Sequence, residues 1–270
     1  MRNRLAAVLT ATVLIASAAT WMSLSAPAAQ KAALPDTIAG KPNFTGLWQT
    51  IGTANWDIQD HSARPGPLVP MGAVGAFPPG QGIVDGNEIP YLPAALAKKK
   101  ENQANWLKLD PEVKCYMPGI PRANYMPYPF QIVQSQQDIA FAYEFATANR
   151  VVNMGKPRPA AVDTWMGTSN GRWEGNTLVV DVIGQRDDTW FDRSGNHHSD
   201  ALHVVERFSL RNHDVIDYEA TIEDSRTFSK PWKMRFPIYR RLDRNAQIGE
   251  FKCVEFTEEL LYGALRKQPK

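Results

Sequence analysis

The feature that most constrains this chain is a succession of short alternating segments in its second half. From residue 130 onward, apolar and polar residues alternate in runs of five to nine residues, and turn-forming clusters such as Glu174-Gly175-Asn176 separate many of them. Alternation with a period of two places successive side chains on opposite faces of a β-strand. We therefore predict strands at 130–135, 138–145, 150–154, 166–173, 177–183, 202–210, 215–223, 232–240 and 249–254.

No helical pattern separates these strands, and a further strand is predicted at 44–50. Consecutive strands with short connections pair antiparallel, and such a sheet removes its exposed edges by closing on itself or by folding into a sandwich. The sequence therefore predicts a mostly β fold, an antiparallel meander closed into a calycin- or lipocalin-like barrel or packed as a sandwich. We assign residues 29–270 to a single domain of this kind.

The front half of the chain has little periodicity. Thirteen of the 32 residues at 62–93 are Pro or Gly, which excludes a regular helix or strand there. A loop of this length is typical of a lid over a pocket or of an ordered meander packed on a sheet, and both interpretations stay open. Helices are predicted at 93–109, where Pro93 suits a first turn, and at 257–265.

The first 28 residues predict export. Arg2 and Arg4 precede an uncharged run at 5–25, and Ala26-Pro27-Ala28 supplies the small residues of a cleavage site. This order of segments is typical of a secretory signal peptide. The alternative is an uncleaved anchor, because an uncharged run of this length can cross a bilayer. We expect cleavage, which predicts a periplasmic or secreted protein with no membrane span.

The net charge limits the partners. The chain has 30 Lys and Arg against 28 Asp and Glu, and removal of residues 1–28 takes away two of the basic residues. A mature chain without net charge lacks the electrostatic footprint of a protein that binds nucleic acid or an anionic membrane. The predicted partner is therefore a small-molecule substrate or ligand.

Two cysteines, Cys115 and Cys253, stand far apart in the sequence. In an oxidising compartment an even number of cysteines predicts a disulfide, with two buried free thiols as the alternative. Closing so long a loop would stabilise the fold by roughly 4–5 kcal/mol in the chain-entropy model.

The candidate catalytic residues fall in one window at 181–207, which holds three of the five histidines and six acidic residues. A histidine beside a carboxylate is the commonest arrangement for general acid–base catalysis. The part at 184–201 joins two predicted strands, so we expect it at one end of the barrel, where such folds bind ligands. The competing interpretation is a polar loop in which Asp, Asn, Ser and Gly form turns. The catalytic candidates are His198, His203, Asp200, Asp181, Asp192 and Arg207.

Strand alternation sharpens part of this prediction. Within 202–210, His203 and Arg207 share one face. In the strand at 177–183, Asp181 lies among β-branched apolar neighbours, where a carboxylate is costly unless it is paired. We therefore predict a contact of Asp181 with Arg207 or with His203.

Three other chemistries are less favoured by the spacing. The spacing of the three histidines and Asp200 matches no recognised pattern of metal ligands. A calcium-binding loop would need a glycine at its sixth position and a glutamate at its twelfth, and the sequence has neither there. A nucleophilic serine lacks the Gly-x-Ser-x-Gly turn. No cofactor is therefore predicted. The residues concerned are His197, His198 and His203 for the metal, Asp192 for calcium, and Ser194 or Ser199 for the nucleophile.

Aromatic residues are dense around the same part of the chain. Such density suits a barrel interior that stacks a planar ligand or a sugar ring, and core packing is the alternative, because aromatic side chains dominate any core. The substrate-binding candidates are Trp165, Trp190, Tyr143 and Tyr128.

Several runs of the mature chain are specific enough to carry a resemblance. They are T-W-M-G-x-S-x-G-R-W-E-G-N-T-L-V-V-D at 164–181, T-W-F-D at 189–192, H-S-D-A-L-H-V-x-E-R-F at 198–208, P-N-F-T-G-L-W at 42–48 and K-P-W at 230–232. These runs resemble a large family of secreted bacterial proteins for which a lipocalin-like fold is expected. The resemblance implies export and common ancestry, and it implies no particular reaction.

Two functional hypotheses follow, with a structural domain of the cell envelope as a third. In the first, an exported enzyme without a cofactor acts as a lyase, dehydratase or isomerase on a cyclic or glycosidic organic substrate, and Arg207 stabilises developing negative charge. In the second, a non-catalytic lipocalin-like periplasmic protein binds an apolar or aromatic ligand. An enzyme should place a histidine beside a carboxylate in a concave pocket, whereas a binding protein should have an aromatic cavity with the histidines outside it.

Overall fold

The structure, a computed structural model, describes residues 36–66 and 69–265, and the predicted signal peptide lies outside these residues. The described part forms eleven β-strands and three α-helices, with short 3₁₀ turns between some of them. The strands are β1 (Thr37–Ile38), β2 (Lys41–Pro42), β3 (Gly46–Gln49), β4 (Phe130–Gln134), β5 (Ile139–Tyr143), β6 (Asn149–Asn153), β7 (Thr168–Glu174), β8 (Thr177–Ile183), β9 (His203–Asn212), β10 (Val215–Glu223) and β11 (Trp232–Arg240). The helices are α1 (Pro93–Ala104), α2 (Trp106–Leu109) and α3 (Thr257–Tyr262).

Nine of the strands, β3 to β11, form one closed barrel, so the prediction of a mostly β barrel is confirmed. The strands follow one another around the wall in chain order, and β11 pairs back onto β3. All neighbours are antiparallel except β6 and β7, which are parallel. Short hairpins account for most of the antiparallel pairs, because they reverse the chain within a few residues.

One predicted strand, at 249–254, is wrong, whereas each of the other predicted strands lies within two residues of an observed one. Phe251 packs instead on Tyr128 and Phe145, with ring centroids 5.3 and 4.8 Å away. The barrel is already closed by the pairing of β11 with β3, so it offers no free edge to a further strand.

Burial alternates along β9 and shows which side chains fill the barrel. Val204, Glu206 and Phe208 are buried, whereas His203 and Arg207 are half-buried. Val204 and Phe208 belong to the main apolar core, so the first three side chains point into the barrel and the other two lie on its outer face. Burial of each apolar side chain in such a core contributes about 1.5–3 kcal/mol.

The contact that closes the barrel, between β11 and β3, is short. The two strands pair at two positions, one of them Arg240 with Trp48. The Cζ atom of Arg240 lies 4.1 Å from the centre of the Trp48 ring, and Nη1 donates to the backbone oxygen of Thr45 at 2.9 Å. A Cβ at Gly46 would collide with this guanidinium, so a larger residue there would displace the Arg240 side chain.

The predicted helix at 93–109 is divided at Asn105, whose φ of −120° is not helical. α1 ends just before this residue and α2 begins just after it. The break accompanies the burial of Trp106, whose ring packs edge-on against Phe77. α3 begins at the predicted residue, Thr257, and its last predicted residues form a 3₁₀ turn.

The Pro- and Gly-rich segment at 62–93 is an ordered meander in the part that the structure describes. Arg64 and Phe77 form a backbone bridge within the segment, and Val84 bridges to Met234 of β11. None of its described residues lines the cavities of about 260, 410 and 490 Å³ on the barrel. This arrangement favours the packed meander, and a role as a lid stays a prediction.

Cys115 and Cys253 form the predicted disulfide, with their Cα atoms 5.8 Å apart. The bond joins the segment before β4 to the segment after β11 across 138 residues of sequence. Such a bond is typical of proteins of an oxidising compartment. Within the ranges that the structure describes, no helix has the length and apolar character needed to span a bilayer.

A candidate binding cavity at the parallel seam

The parallel contact between β6 and β7, which we call the seam, is one of the shortest strand pairings of the barrel. The strands pair at Val152 with Ser169 and at Asn153 with Asn170, whereas β7 and β8 pair at seven positions. Parallel neighbours require a connection that crosses from one end of the strands to the other. Here the crossing is made by the loop at 154–167, which has no regular structure.

One side chain holds this loop against the seam. Asn170 accepts a hydrogen bond from the backbone N–H of Arg158 at 2.8 Å and donates one to the backbone oxygen of Arg158 at 2.9 Å. Asn153 of β6 donates to the same Asn170 oxygen at 3.1 Å. These bonds connect both strands to the loop and place the exposed Arg158 beside the seam.

A cavity of about 490 Å³, which we call the seam cavity, opens at this contact. The volume falls in the range of about 300–1,000 Å³ that is typical of small-molecule sites. The lining contains two arginines and no acidic residue. The lining residues are Met117, Asn149, Arg150, Val151, Asn153, Arg158, Thr164, Trp165, Met166, Gly167, Thr168 and Ser169.

Arg150 is the buried charge of this lining. Its guanidinium donates two hydrogen bonds to the carboxylate of Glu206, at 2.5 and 3.1 Å, and Glu206 is fully buried. Glu206 also accepts hydrogen bonds from Asn124 Nδ2 at 2.8 Å and from the Tyr218 hydroxyl at 2.9 Å. Burial lowers the pKa of Arg150, but the carboxylate of Glu206 outweighs it, so the pKa is raised above its ordinary value. Arg150 therefore carries its charge inside the barrel.

Two polar atoms of the lining have no hydrogen-bond partner among the described residues. They are Nε of Arg150 and Oγ of Ser169, and both residues are at least nine-tenths buried. A buried polar atom that makes no hydrogen bond costs about 1–3 kcal/mol, and native structures contain few of them. Each atom has almost no accessible surface, so neither is exposed to the seam cavity.

The apolar part of the lining includes Trp165, one of the predicted ligand-binding residues, together with Met117 and Met166. The Trp165 ring lies 4.8 Å from the ring of Tyr116 and 4.6 Å from Cζ of Arg186. Contacts with an aromatic ring and a guanidinium restrict the orientation of the indole. The cavity therefore combines a fixed aromatic surface with the charge of the exposed Arg158.

The predicted contact between Asp181 and His203 is present, but it lies on the outer face of the barrel. His203 Nε2 is 3.1 Å from Asp181 Oδ1, and Nδ1 is 3.0 Å from Glu223 Oε2. Asp181 also pairs with Arg172, and Arg207 pairs with Glu174 at 2.8 Å rather than with Asp181. We call this set of paired residues the outer ladder, and none of them lines the seam cavity.

His198 is buried away from the outer ladder. Its Nδ1 is 2.8 Å from the backbone oxygen of Ser199, which only accepts, so Nδ1 carries the hydrogen and Nε2 accepts from the Thr189 hydroxyl at 2.7 Å. Burial lowers the pKa of His198 to about 4, so the ring is neutral near pH 7. Asp200 forms an exposed ion pair with Arg226. The structure therefore does not join His198 to Asp200, and the catalytic roles of both stay predictions.

Asp192 is fully buried and connects the window to the front half of the chain. It accepts hydrogen bonds from the backbone N–H of Ile58 at 2.9 Å and from Asn196 at 3.1 Å (backbone) and 2.6 Å (side chain). Burial, followed by the nearby carboxylate of Asp57, raises the pKa of Asp192 to about 7. Much of the segment at 184–201 is a packed, hydrogen-bonded loop, which agrees with the competing interpretation of its composition.

The other aromatic candidates lie elsewhere. Tyr143 is buried in the barrel and donates to Asn124 Oδ1 at 2.8 Å. Trp190 packs in a separate apolar cluster. Tyr128 lines a second cavity, of about 260 Å³, beside the disulfide. Of the four predicted ligand-binding residues, Trp165 is the one that lines the seam cavity.

The three histidines considered for a metal site do not converge. His197 Nε2 is 3.0 Å from the backbone oxygen of Ala95, and His198 and His203 have the partners given above. Among the described residues, no three side chains of His, Cys, Asp or Glu are arranged so that they could hold a metal ion.

Arg150, Ser169 and Glu206 are not among the site residues predicted from the sequence. A signal was present, because each occupies an inward position of a strand whose other inward residues are mostly apolar or small. A charged residue at such a position is costly unless it is paired, so its presence indicates a partner inside the barrel. The identity of that partner depends on strand order around the barrel, which alternation does not reveal.

Comparison with known proteins adds no assignment. No protein-family model, no curated protein and no solved structure matches the chain. The resemblance carried by the runs at 164–181 and 198–208 therefore stays a prediction. What is shown is the mostly β fold, a closed nine-stranded barrel.

Proposed function

We propose that this protein binds a small organic molecule in the seam cavity and acts as a lipocalin-like binding protein. The observation that carries the proposal is a cavity of about 490 Å³ that is lined by Trp165 and contains no acidic residue in its lining.

The groups that line the seam cavity are held in place before a ligand arrives. Glu206 fixes the Arg150 guanidinium through two hydrogen bonds, and Asn170 fixes the backbone of Arg158. Ser169 lies within β7 and is paired on both sides by neighbouring strands. Preorganised groups lose little conformational entropy on binding, which raises affinity without additional contacts.

The setting we propose is the periplasm or the outside of the cell. The disulfide between Cys115 and Cys253 suits an oxidising compartment. The composition of residues 1–28 predicts export and removal of that segment.

Acid–base catalysis on the outer face of the barrel is a second candidate function. The specific observation in its favour is that each ring nitrogen of His203 lies within 3.1 Å of a carboxylate, one from Asp181 and one from Glu223. A carboxylate orients a catalytic imidazole and stabilises its charged form. Arg207 lines a cavity of about 410 Å³ on this face and would stabilise developing negative charge on a cyclic or glycosidic substrate of a lyase or isomerase.

The binding proposal is tested on the mature protein with a panel of small aromatic and aliphatic compounds, measured by thermal shift and by calorimetry. The panel contains naphthoate, phenylacetate and octanoate together with the neutral amide of each acid. A compound present at 100 times its Kd should stabilise the fold by about 2.7 kcal/mol. Trp165→Leu should weaken binding of the aromatic compounds about tenfold, because it removes the aromatic contact.

Trp173→Leu is the matched control. Trp173 is also partly buried and lies on β7, but it stacks on Phe44 and is not part of the seam cavity. Binding that is absent for the whole panel, or that is weakened equally by both substitutions, would contradict the proposal. The second candidate function instead requires that His203→Asn abolish turnover while leaving binding in the seam cavity unchanged.

A further inference from the structure

The segment at 245–265, which we call the strap, follows the last strand of the barrel and contains the disulfide residue Cys253. We infer that the strap is a redox-controlled cover: the disulfide holds it over an apolar surface at Tyr128 and Phe145, and reduction of the bond by a dithiol releases it. This role goes beyond binding in the seam cavity, because none of the strap's described residues lines that cavity.

The barrel wall is complete without the strap. β11 ends at Arg240, and its pairing with β3 closes the sheet. In the part that the structure describes, the strap contributes α3 and a short 3₁₀ turn but no strand. Release of the strap therefore removes no pairing between barrel strands.

The strap lies on the surface of the molecule. Among those of its residues whose burial the structure describes, none is buried. Phe251 contacts the ring of Phe145, with centroids 4.8 Å apart, and the backbone N–H of Phe256 donates to the backbone oxygen of Val113 at 2.7 Å. Segments with few buried apolar contacts open locally at a low cost in free energy. The covalent bond at Cys253 is therefore the strongest attachment of the strap to the rest of the molecule.

The position of the disulfide suits reduction in the folded protein. Cys253 is exposed, and Cys115 is half-buried. Thiol–disulfide exchange requires that a thiolate reach one of the two sulfur atoms, and exposed disulfides are reduced more easily than buried structural ones. We therefore place the attack at Cys253.

Reduction proceeds by two exchanges with the dithiol, for example the cysteine pair of a disulfide oxidoreductase. A thiolate of the dithiol attacks Sγ of Cys253, the S–S bond breaks, and Cys115 leaves as a thiolate that takes up a proton. The second thiolate of the reductant then attacks its own sulfur in the mixed disulfide, and Cys253 leaves and is protonated. The protein disulfide gains two electrons and two protons, and the dithiol becomes a disulfide.

Release of the strap would uncover an apolar surface. A cavity of about 260 Å³ lies between the strap and the rest of the molecule. Phe145 is buried while the strap is in place. Contiguous apolar surface that becomes exposed is typical of an interaction site, so reduction would change what the protein presents to its surroundings. The apolar residues that face each other across the cavity are Phe251, Val254 and Phe256 of the strap and Leu107, Val113, Tyr128 and Phe145 of the body.

The experiment follows amide hydrogen exchange of the mature protein before and after treatment with dithiothreitol, with free thiols counted by a thiol reagent. After reduction, the amides of the strap should exchange at least about tenfold faster, whereas those of β3 to β11 should keep their rates. Fluorescence of anilinonaphthalene sulfonate, which reports exposed apolar surface, should rise about threefold. The double variant Cys115→Ser with Cys253→Ser should reproduce both results without a reductant.

Phe251→Ala is the matched variant, because it removes the ring contact and keeps the disulfide. In the oxidised protein it should accelerate exchange of the strap by less than about threefold. Leu260→Ala, at an exposed position of the strap, should leave the exchange rates unchanged. An effect of Phe251→Ala as large as that of reduction would mean that the ring contact holds the strap, and the inference would be wrong.

Three further results would overturn the inference. If dithiothreitol leaves the bond of the folded protein intact, the disulfide is not accessible to a dithiol. If the bond is reduced and the strap exchanges as slowly as before, noncovalent contacts hold it in place. If the barrel strands lose protection together with the strap, the bond stabilises the whole fold and controls no separate cover.

Discussion

The same barrel wall carries two sets of ion pairs in opposite surroundings. Inside, Arg150 and Glu206 are at least nine-tenths buried and bonded to each other. Outside, the ladder that contains Asp181 and His203 is exposed by about a third of each side chain, 29% and 34%. Strands of the barrel wall can contribute to both sets of ion pairs, because successive residues of a strand point to opposite faces of the sheet.

The comparison shows that the burial of an ion pair has to be known before the pair can be interpreted. Burying two charges is costly, and removing one partner of a buried pair is strongly destabilising. Exposed pairs contribute little to stability and form wherever opposite charges are neighbours on a strand. The outer ladder matches a catalytic pattern in its residue types, and each of the two sets includes an arginine that lines a cavity.

The largest effect is expected from Glu206→Gln. The substitution leaves Arg150 buried without a carboxylate, which should reduce the free energy of unfolding by about 3–5 kcal/mol. Urea unfolding of the purified protein measures this change. A loss of less than about 1 kcal/mol would show that the inner pair behaves like the outer ladder.

The double variant Arg150→Met with Glu206→Leu is the control for this prediction. Removing both charges leaves no unpaired ion, so most of the stability lost in Glu206→Gln should return. The unpaired hydroxyl of Tyr218 and amide of Asn124 limit the recovery, since both donate to Glu206. Equal instability of the single and double variants would mean that packing, not charge, accounts for the effect.

An intermediate effect, dependent on pH, is expected at His198. Burial lowers its pKa from 6.5 to about 4 in the folded protein. Between these values the unfolded chain binds the proton more readily than the folded one, so stability is lost as the pH falls from 6.5 toward 4. His198→Asn should therefore lose less stability over this range than the original protein, by roughly 3 kcal/mol.

Unfolding at several pH values measures this difference, and Phe191→Leu provides the control. Phe191 lies 5.3 Å from the His198 ring and carries no proton, so its replacement should lower stability by the same amount at each pH. If His198→Asn leaves the pH dependence unchanged, the ring is not held neutral by burial. In that case His198 would have to be grouped with the partly exposed residues of the outer ladder and not with the buried ones.

The smallest effect is expected from Asp181→Asn in the outer ladder. The substitution should change the free energy of unfolding by less than about 1 kcal/mol, because both partners are partly exposed and solvent screens them. The change should shrink further when salt is added to the unfolding experiment. A change above 2 kcal/mol would show that the ladder is more strongly coupled than its exposure indicates.

The fold could be predicted from the sequence to a large extent, because alternation is a local signal. The bounds of β8, β10 and β11 agree with the prediction at both ends, and turn clusters such as Glu174-Gly175-Asn176 separate neighbouring strands. The wrong strand at 249–254 has the same local pattern, and it fails because the barrel has no free edge left to accept it. Closure is a property of the whole sheet.

The candidate site was predicted only in part, because a cavity is defined by contacts between distant residues. Trp165 was identified from composition, whereas the pairing of Arg150 with Glu206 spans 56 residues and depends on strand order. His198 and Asp192 are close in sequence to the outer residues but take their partners from Thr189 and Ile58. Composition alone does not distinguish a packed polar loop from a reactive one.

The short contact between β3 and β11 has a consequence for how the barrel forms. Arg240 reaches the backbone of Thr45 across 195 residues of sequence, so the wall closes only when its last strand meets its first. A topology dominated by such distant contacts folds slowly, because the chain entropy is lost before the contact is gained. An emerging chain presents β3 long before β11 exists, so the barrel cannot close until residue 240 is available to pair with β3.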